Sequence, residues 1–127
     1  MAKGISIAAR KAKGRQLQQT VRDAVLALDP ALVLNDDVRS TPMGSGGADL
    51  MLSTAAKKVF PYAVECKNSE KATVWAAYEQ ALAHAKLDPT LQPVAVMKRN
   101  HGPTLAIVSF EHFMALLTQL KAKKNDD

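Results

Sequence analysis

Leu17, Val21, Val25 and Leu28 recur every three or four residues in an otherwise polar stretch. This is the spacing of one helix face, and it predicts a first helix from Gly14 to Leu28. Asp29-Pro30 ends it, because a residue before proline is pushed out of the helical region. Ala31 to Leu34 and Val38 to Ser40 are short extended runs around Asn35-Asp36-Asp37, whose side chains favour turns, so a first strand or bent hairpin is predicted there. Thr41 to Gly47 is a loop rich in Gly, Ser and Pro that leads into a short strand, Asp49 to Leu52. Ser53 to Lys58 reads as a connection. Val59 to Lys67 is the most strand-like run of the chain, with Pro61 marking a bulge or an edge near its start.

The helical period returns from Ala72 to Lys86, where Val74, Tyr78, Ala81, Leu82 and Ala85 make an apolar face and Asp88-Pro89 closes the element. Pro93 to Lys98 and Thr104 to Val108 flank the turn sequence Arg99-Asn100-His101-Gly102-Pro103, which predicts a hairpin. Ser109 suits the N-cap of a last helix with Phe113, Leu117 and Leu120 facing inward. The expected order is αβββαββα, an α/β chain with a central mixed sheet flanked by helices on both faces.

A length of 127 residues with 47% hydrophobic content suits one domain that buries a core without staples. No stretch approaches the ~18 apolar residues of a membrane span, and the amino terminus lacks the apolar segment of a signal peptide. A soluble, cytoplasmic protein is expected. A single cysteine, Cys66, excludes an internal disulfide and a paired-cysteine zinc site. The formal charge of +5 is unevenly spread: Lys3, Arg10, Lys11, Lys13, Arg15 and Arg22 precede the first acid. Residues 1–13 therefore read as a basic arm able to face phosphates, residues 14–120 as the domain, and residues 121–127 as a charged tail that should fray.

The candidate chemistry lies in Gly46-Gly47-Ala48-Asp49-Leu50 and Val64-Glu65-Cys66-Lys67. On a strand the period of two puts Glu65 and Lys67 on one face and turns Cys66 away. Two carboxylates and an ammonium at a strand edge can hold a hard divalent cation, Mg²⁺ or Mn²⁺, against a phosphate. The main-chain carbonyl of Cys66 would complete such a ligand set. Lys67 would orient the attacking water or stabilise charge building on the phosphate. The spacing alone is weak evidence, since an Asp followed by Glu-x-Lys is common by chance.

Taken together, Gly46-Gly47-Ala48-Asp49-Leu50, Glu65-Cys66-Lys67 and a following helix with Gln80 resemble the PD-(D/E)XK nuclease superfamily. The stretch from Asp36-Asp37-Val38-Arg39-Ser40 through Glu65 to Lys71, Trp75 and Gln80 is similar to small phage-type nucleases related to archaeal Holliday-junction resolvases. The resemblance runs from Lys13 to about Phe113. It implies a restriction-endonuclease-like core, Asp49 and Glu65 as metal ligands, Lys67 as the catalytic lysine, and a phage-encoded protein acting in a bacterial host. The superfamily often adds a glutamate on the first helix after a Lys-Gly start. Here Lys13-Gly14 is followed by Gln18 at the matching position, which brings no charge and disfavours a second metal ion.

Gln80 matches a helix glutamine that touches substrate or a metal-bound water in some branches, and is equally an ordinary surface residue. Arg39 and Ser45 could grip a phosphate, with Lys71, Lys13 and Arg15 as further contacts to nucleic acid. Trp75 could stack on a splayed base, whereas Tyr78 fits the apolar stripe. His84, His101 and His112 show no ligand spacing and are read as structural or exposed. Cys66 is read as an inert small hydrophobe.

The expectation is a metal-dependent DNA endonuclease selective for branched or junction DNA, because so small a domain has little surface for reading bases. Junction cleavage needs two active sites, hence a homodimer of C₂ symmetry. The rival is a noncatalytic nucleic-acid-binding protein, supported by the missing helix carboxylate and opposed by two carboxylates that would repel a phosphate path. An RNA nuclease is a third, weaker reading.

Overall fold

The computed structural model describes residues 6–42 and 45–126. Residues 1–5 of the expected arm, two residues of the Gly-Ser-Pro loop and the last residue lie outside these. Helix α1 spans Ile7–Leu26 and starts earlier than the apolar stripe indicates, because the Ser6 hydroxyl accepts the Ala9 N–H at 3.1 Å and caps it. The second half of the expected arm is thus helical. Leu17, Gln18, Val21 and Val25 are buried along one face, while Leu28 lies beyond the helix and is exposed.

Strand β1, Val38–Ser40, pairs antiparallel with β2, Leu50–Leu52, with Arg39 opposite Met51. Ala31 to Leu34 forms no strand, only an isolated bridge from Leu34 to Val38. The expected connection after β2 is a short helix, α2, Thr54–Val59, capped by Ser53. Serine serves turns and helix caps alike, which is why the residues there read as a loop. Strand β3, Tyr62–Asn68, runs parallel to β4, Gln92–Lys98, and β4 pairs antiparallel with β5, Leu105–Ile107. Between β3 and β4 the chain crosses over through α3, Val74–Ala85.

The order is therefore αββαβαββα with two sheets, β1-β2 and β3-β4-β5, instead of one sheet in the order αβββαββα. The three-stranded sheet is mixed and carries helices on both faces. Val64, Cys66, Val94 and Val96 pack toward α1 with Val38 and Leu50. Ala95 and Met97, on the opposite face of β4, pack with Ala77 of α3. Ala77, Ala81 and Ala85 are the buried stripe of α3, so this helix meets the sheet with its smallest side chains, and Val74 is exposed. The hairpin turn at Arg99 to Pro103 is present, with His101 in the left-handed region.

Helix α4, Phe110–Asp126, includes most of the residues expected to fray. Its apolar side chains do not face inward: Phe113 is 49% exposed, Leu117 43% and Leu120 51%. The Tyr62 hydroxyl meets His112 Nε2 at 2.6 Å and holds the start of the helix against β3.

Candidate active site

Asp49 stands where the two sheets meet. Its main-chain N–H donates to the Val64 carbonyl at 2.8 Å, and its Oδ2 accepts the Cys66 N–H at 2.6 Å. One residue thereby replaces two steps of a ladder along the edge of β3 that β4 does not use. The loop before it is clamped by Thr41, buried, whose hydroxyl donates to the Ala48 carbonyl at 2.6 Å and whose N–H donates to the Asp49 carbonyl at 2.9 Å. Gly47 has φ of 96°, a left-handed conformation in which glycine alone is unstrained, so the turn into Asp49 requires it.

Glu65 and Lys67 lie on the α3 face of β3, as the alternation predicts. Lys67 Nζ is 3.4 Å from Glu65 Oε1. Gln18 reaches the same place from α1; it is buried, and its side chain hydrogen-bonds the Asp49 carboxylate. Four of the sequence-derived site residues, Gln18, Asp49, Glu65 and Lys67, therefore converge.

His84 of α3, read from the sequence as structural or exposed, is half-buried and lies beside Glu65. Its Nε2 is 3.6 Å from Glu65 Oε2. The signal was present in the alanine stripe: a residue three after Ala81 and seven after Ala77 borders the face that packs on the sheet. Gln80 sits one turn before His84 and is exposed. Arg39 is exposed, with Nη2 3.2 Å from Met51 Sδ, and Ser45 and Lys71 are exposed on loops. Lys13 is half-buried and donates to Asn100 Oδ1 at 2.7 Å, while its carbonyl accepts from Asn68 Nδ2 at 3.3 Å. This places the middle of α1 beside the end of β3. Arg15 is exposed on α1, and Trp75, 77% exposed, opens toward solvent from the first turn of α3.

Burial raises the Asp49 carboxyl above its ordinary value, against the opposing pull of the Cys66 N–H, Lys67, His84 and Gln18. Burial also raises Glu65, and the neighbouring charge of Asp49 adds to it, while Lys67 and His84 act the other way. Burial, then Asp49 and Glu65, push the Cys66 thiol up, which favours its protonated form. Glu65 Oε2 is buried without a hydrogen-bond partner among the described residues. An ionised oxygen in that position favours a cation.

Among the described residues no group of three or more His, Cys, Asp or Glu side chains is arranged to hold a metal ion. The carboxylate set consists of Asp49 and Glu65. A cavity of about 330 Å³ lies elsewhere, lined by Ser69, Glu70, Met97, Lys98, Arg99 and Leu105 among others. The chain matches no known family model, no curated protein and no solved structure. Among the described residues no helix is long and apolar enough to cross a membrane.

Proposed function

We propose that the protein is a metal-dependent endonuclease of DNA, of the PD-(D/E)XK type, with a restriction-endonuclease-like core. The observation that carries this reading is the meeting of Asp49, at the edge of β3, with Glu65 and Lys67 on its α3 face, where Glu65 Oε2 is buried without a hydrogen bond among the described residues and His84 Nε2 lies 3.6 Å away. A salt bridge serving stability alone would not set a second carboxylate, the half-buried Asp49, beside Glu65, where each charge opposes the other.

The donor set fits Mg²⁺ or Mn²⁺: both side-chain ligands are hard oxygens, and Mg²⁺ keeps several waters and needs few protein ligands. Asp49 and Glu65 would hold the ion. The N–H and carbonyl of a strand residue point to the same side, so the Cys66 carbonyl faces the Asp49 edge together with its N–H and can serve as a further ligand. When bound, the ion supplies Lewis-acid polarisation of the phosphoryl group and acidifies a water. Lys67, already paired to Glu65, is placed to stabilise the negative charge that builds on the phosphate. The Gln18 amide holds the Asp49 carboxylate in orientation, and His84 supports the second oxygen of Glu65. Arg39, Ser45, Lys71, Lys13 and Arg15 would meet the nucleic-acid backbone, and these are contacts of position, not of sequence. Selectivity for branched or junction DNA follows from a site that offers phosphate contacts and little surface for reading bases.

A noncatalytic nucleic-acid-binding protein is the second reading, and Gln18 in place of a carboxylate favours it. One experiment separates the two. Purified protein is incubated with labelled four-way junction, flap, nicked, linear double-stranded and single-stranded DNA, with Mg²⁺, Mn²⁺ or chelator. Metal-dependent cutting that Lys67→Ala abolishes is expected. Binding without cutting under either metal, or an unimpaired Lys67→Ala variant, would overturn the nuclease assignment.

A further inference from the structure

Helix α4 is long, apolar along one seam and nearly unsupported. Of its side chains from Phe110 to Asn125, His112 alone is less than exposed. Phe110, Phe113, Leu117 and Leu120 follow one another at intervals of three, four and three residues, the spacing of the a and d positions of a coiled coil. They are 77%, 49%, 43% and 51% exposed, and Met114 and Leu116 beside them are 44% and 39% exposed. His112, which ties the helix to Tyr62, stands outside this seam. The anchor and the apolar surface are thus separate. A lone 17-residue helix in water is marginal, and helices gain most of their stability by packing an apolar face. An a/d seam calls for another helix of matching spacing.

We propose that α4 is the surface on which two copies of this chain pair, antiparallel and about a two-fold axis near the middle of the helix. Charge selects both the partner and the direction. The seam begins beside Glu111 and ends among Lys121, Lys123 and Lys124. Parallel pairing would set each lysine cluster against its own copy. Antiparallel pairing parts the two clusters, turns each toward the Glu111 end of the other helix, and opposes the helix dipoles. In that register Phe110 packs against the second copy's Leu120, and Phe113 against the second copy's Leu117, so each a position meets a d position of the other copy and the contact is reciprocal, as an isologous contact must be. The pairing does not depend on the nuclease reading, and either can fail without the other.

Sedimentation of the full chain from about 1 μM to about 100 μM tests it, a range that brackets weak self-association. The expected result is a mass rising to twice 13.7 kDa, with Leu117→Glu and Leu120→Glu remaining monomeric and keeping the circular dichroism of a folded α/β chain. Disulfide trapping tests direction: Leu116→Cys, near the axis, should link two chains, and Lys124→Cys should not. A monomer throughout, a dimer that both glutamate variants leave intact, or trapping through Lys124→Cys in place of Leu116→Cys would each overturn the proposal.

Discussion

The Asp49 carboxylate accepts the Cys66 main-chain N–H at 2.6 Å, so a candidate metal ligand also closes the edge of a strand. Asp49 is at once part of the candidate site and part of the joint between the two sheets. Its two duties can be separated, because asparagine keeps an oxygen that accepts the N–H while removing the charge.

Asp49→Asn should therefore unfold in urea at nearly the parent midpoint, whereas Asp49→Ala strands the Cys66 N–H and should lose about 1–3 kcal/mol. Both should lose metal-dependent cleavage. Equal midpoints for the two variants would mean that the carboxylate contributes nothing to the strand edge.

Glu65 gives a pH dependence with a definite sign. Burial and the charge of Asp49 raise its pKa in the folded chain, so the folded state holds this proton more tightly than the unfolded state. Ionisation therefore costs stability, beginning above the unfolded value and reaching its full extent above the folded one. Glu65→Gln removes that cost. Its melting temperature should exceed the parent's by a few degrees at mildly alkaline pH without metal, and the gap should close as the pH falls toward the ordinary glutamate value. A gap that is constant with pH would show that the carboxylate is not strained by its burial.

Gln18→Glu would set a third carboxylate beside Asp49. Because position 18 is buried, the added charge should lower the melting temperature in chelator. Mg²⁺ should then raise it by more than in the parent, since a ligand that favours the folded state stabilises in proportion to its affinity. An identical Mg²⁺ titration for the two proteins would place Gln18 outside the site.

His84 and Gln80 lie one turn apart on α3, and His84 is the one that reaches Glu65. His84→Ala should slow cleavage about tenfold, the loss of roughly 1.4 kcal/mol of support to Glu65, and Gln80→Ala should slow it less. Single-turnover rates on the best substrate would decide, and the reverse order would return Gln80 to the reacting groups.

Much of the site is visible in local patterns. Alternation in Tyr62 to Lys67 sets Glu65 and Lys67 on one face, and the glycines before Asp49 mark the turn that delivers it. The stripe through Leu17, Val21 and Val25 is the buried face of α1, and Gln18 borders it. Other features were hidden because one residue type serves two structures. Ser53 caps a helix where serine reads as a connection, and the leucines of α4 look like core although the body of the protein does not cover them.

Periodicity along the chain is a local property, set by which side chains share a face, and it suffices for the strand that carries Glu65 and Lys67 and for the helix that carries Gln18. Convergence is not local. Asp49 reaches Cys66, His84 reaches Glu65 and Gln18 reaches Asp49 because α1 and α3 pack on opposite faces of one sheet while the β1-β2 hairpin docks at its edge. Packing of those layers, which no spacing along the chain encodes, places the histidine in the site and leaves the apolar seam of α4 open.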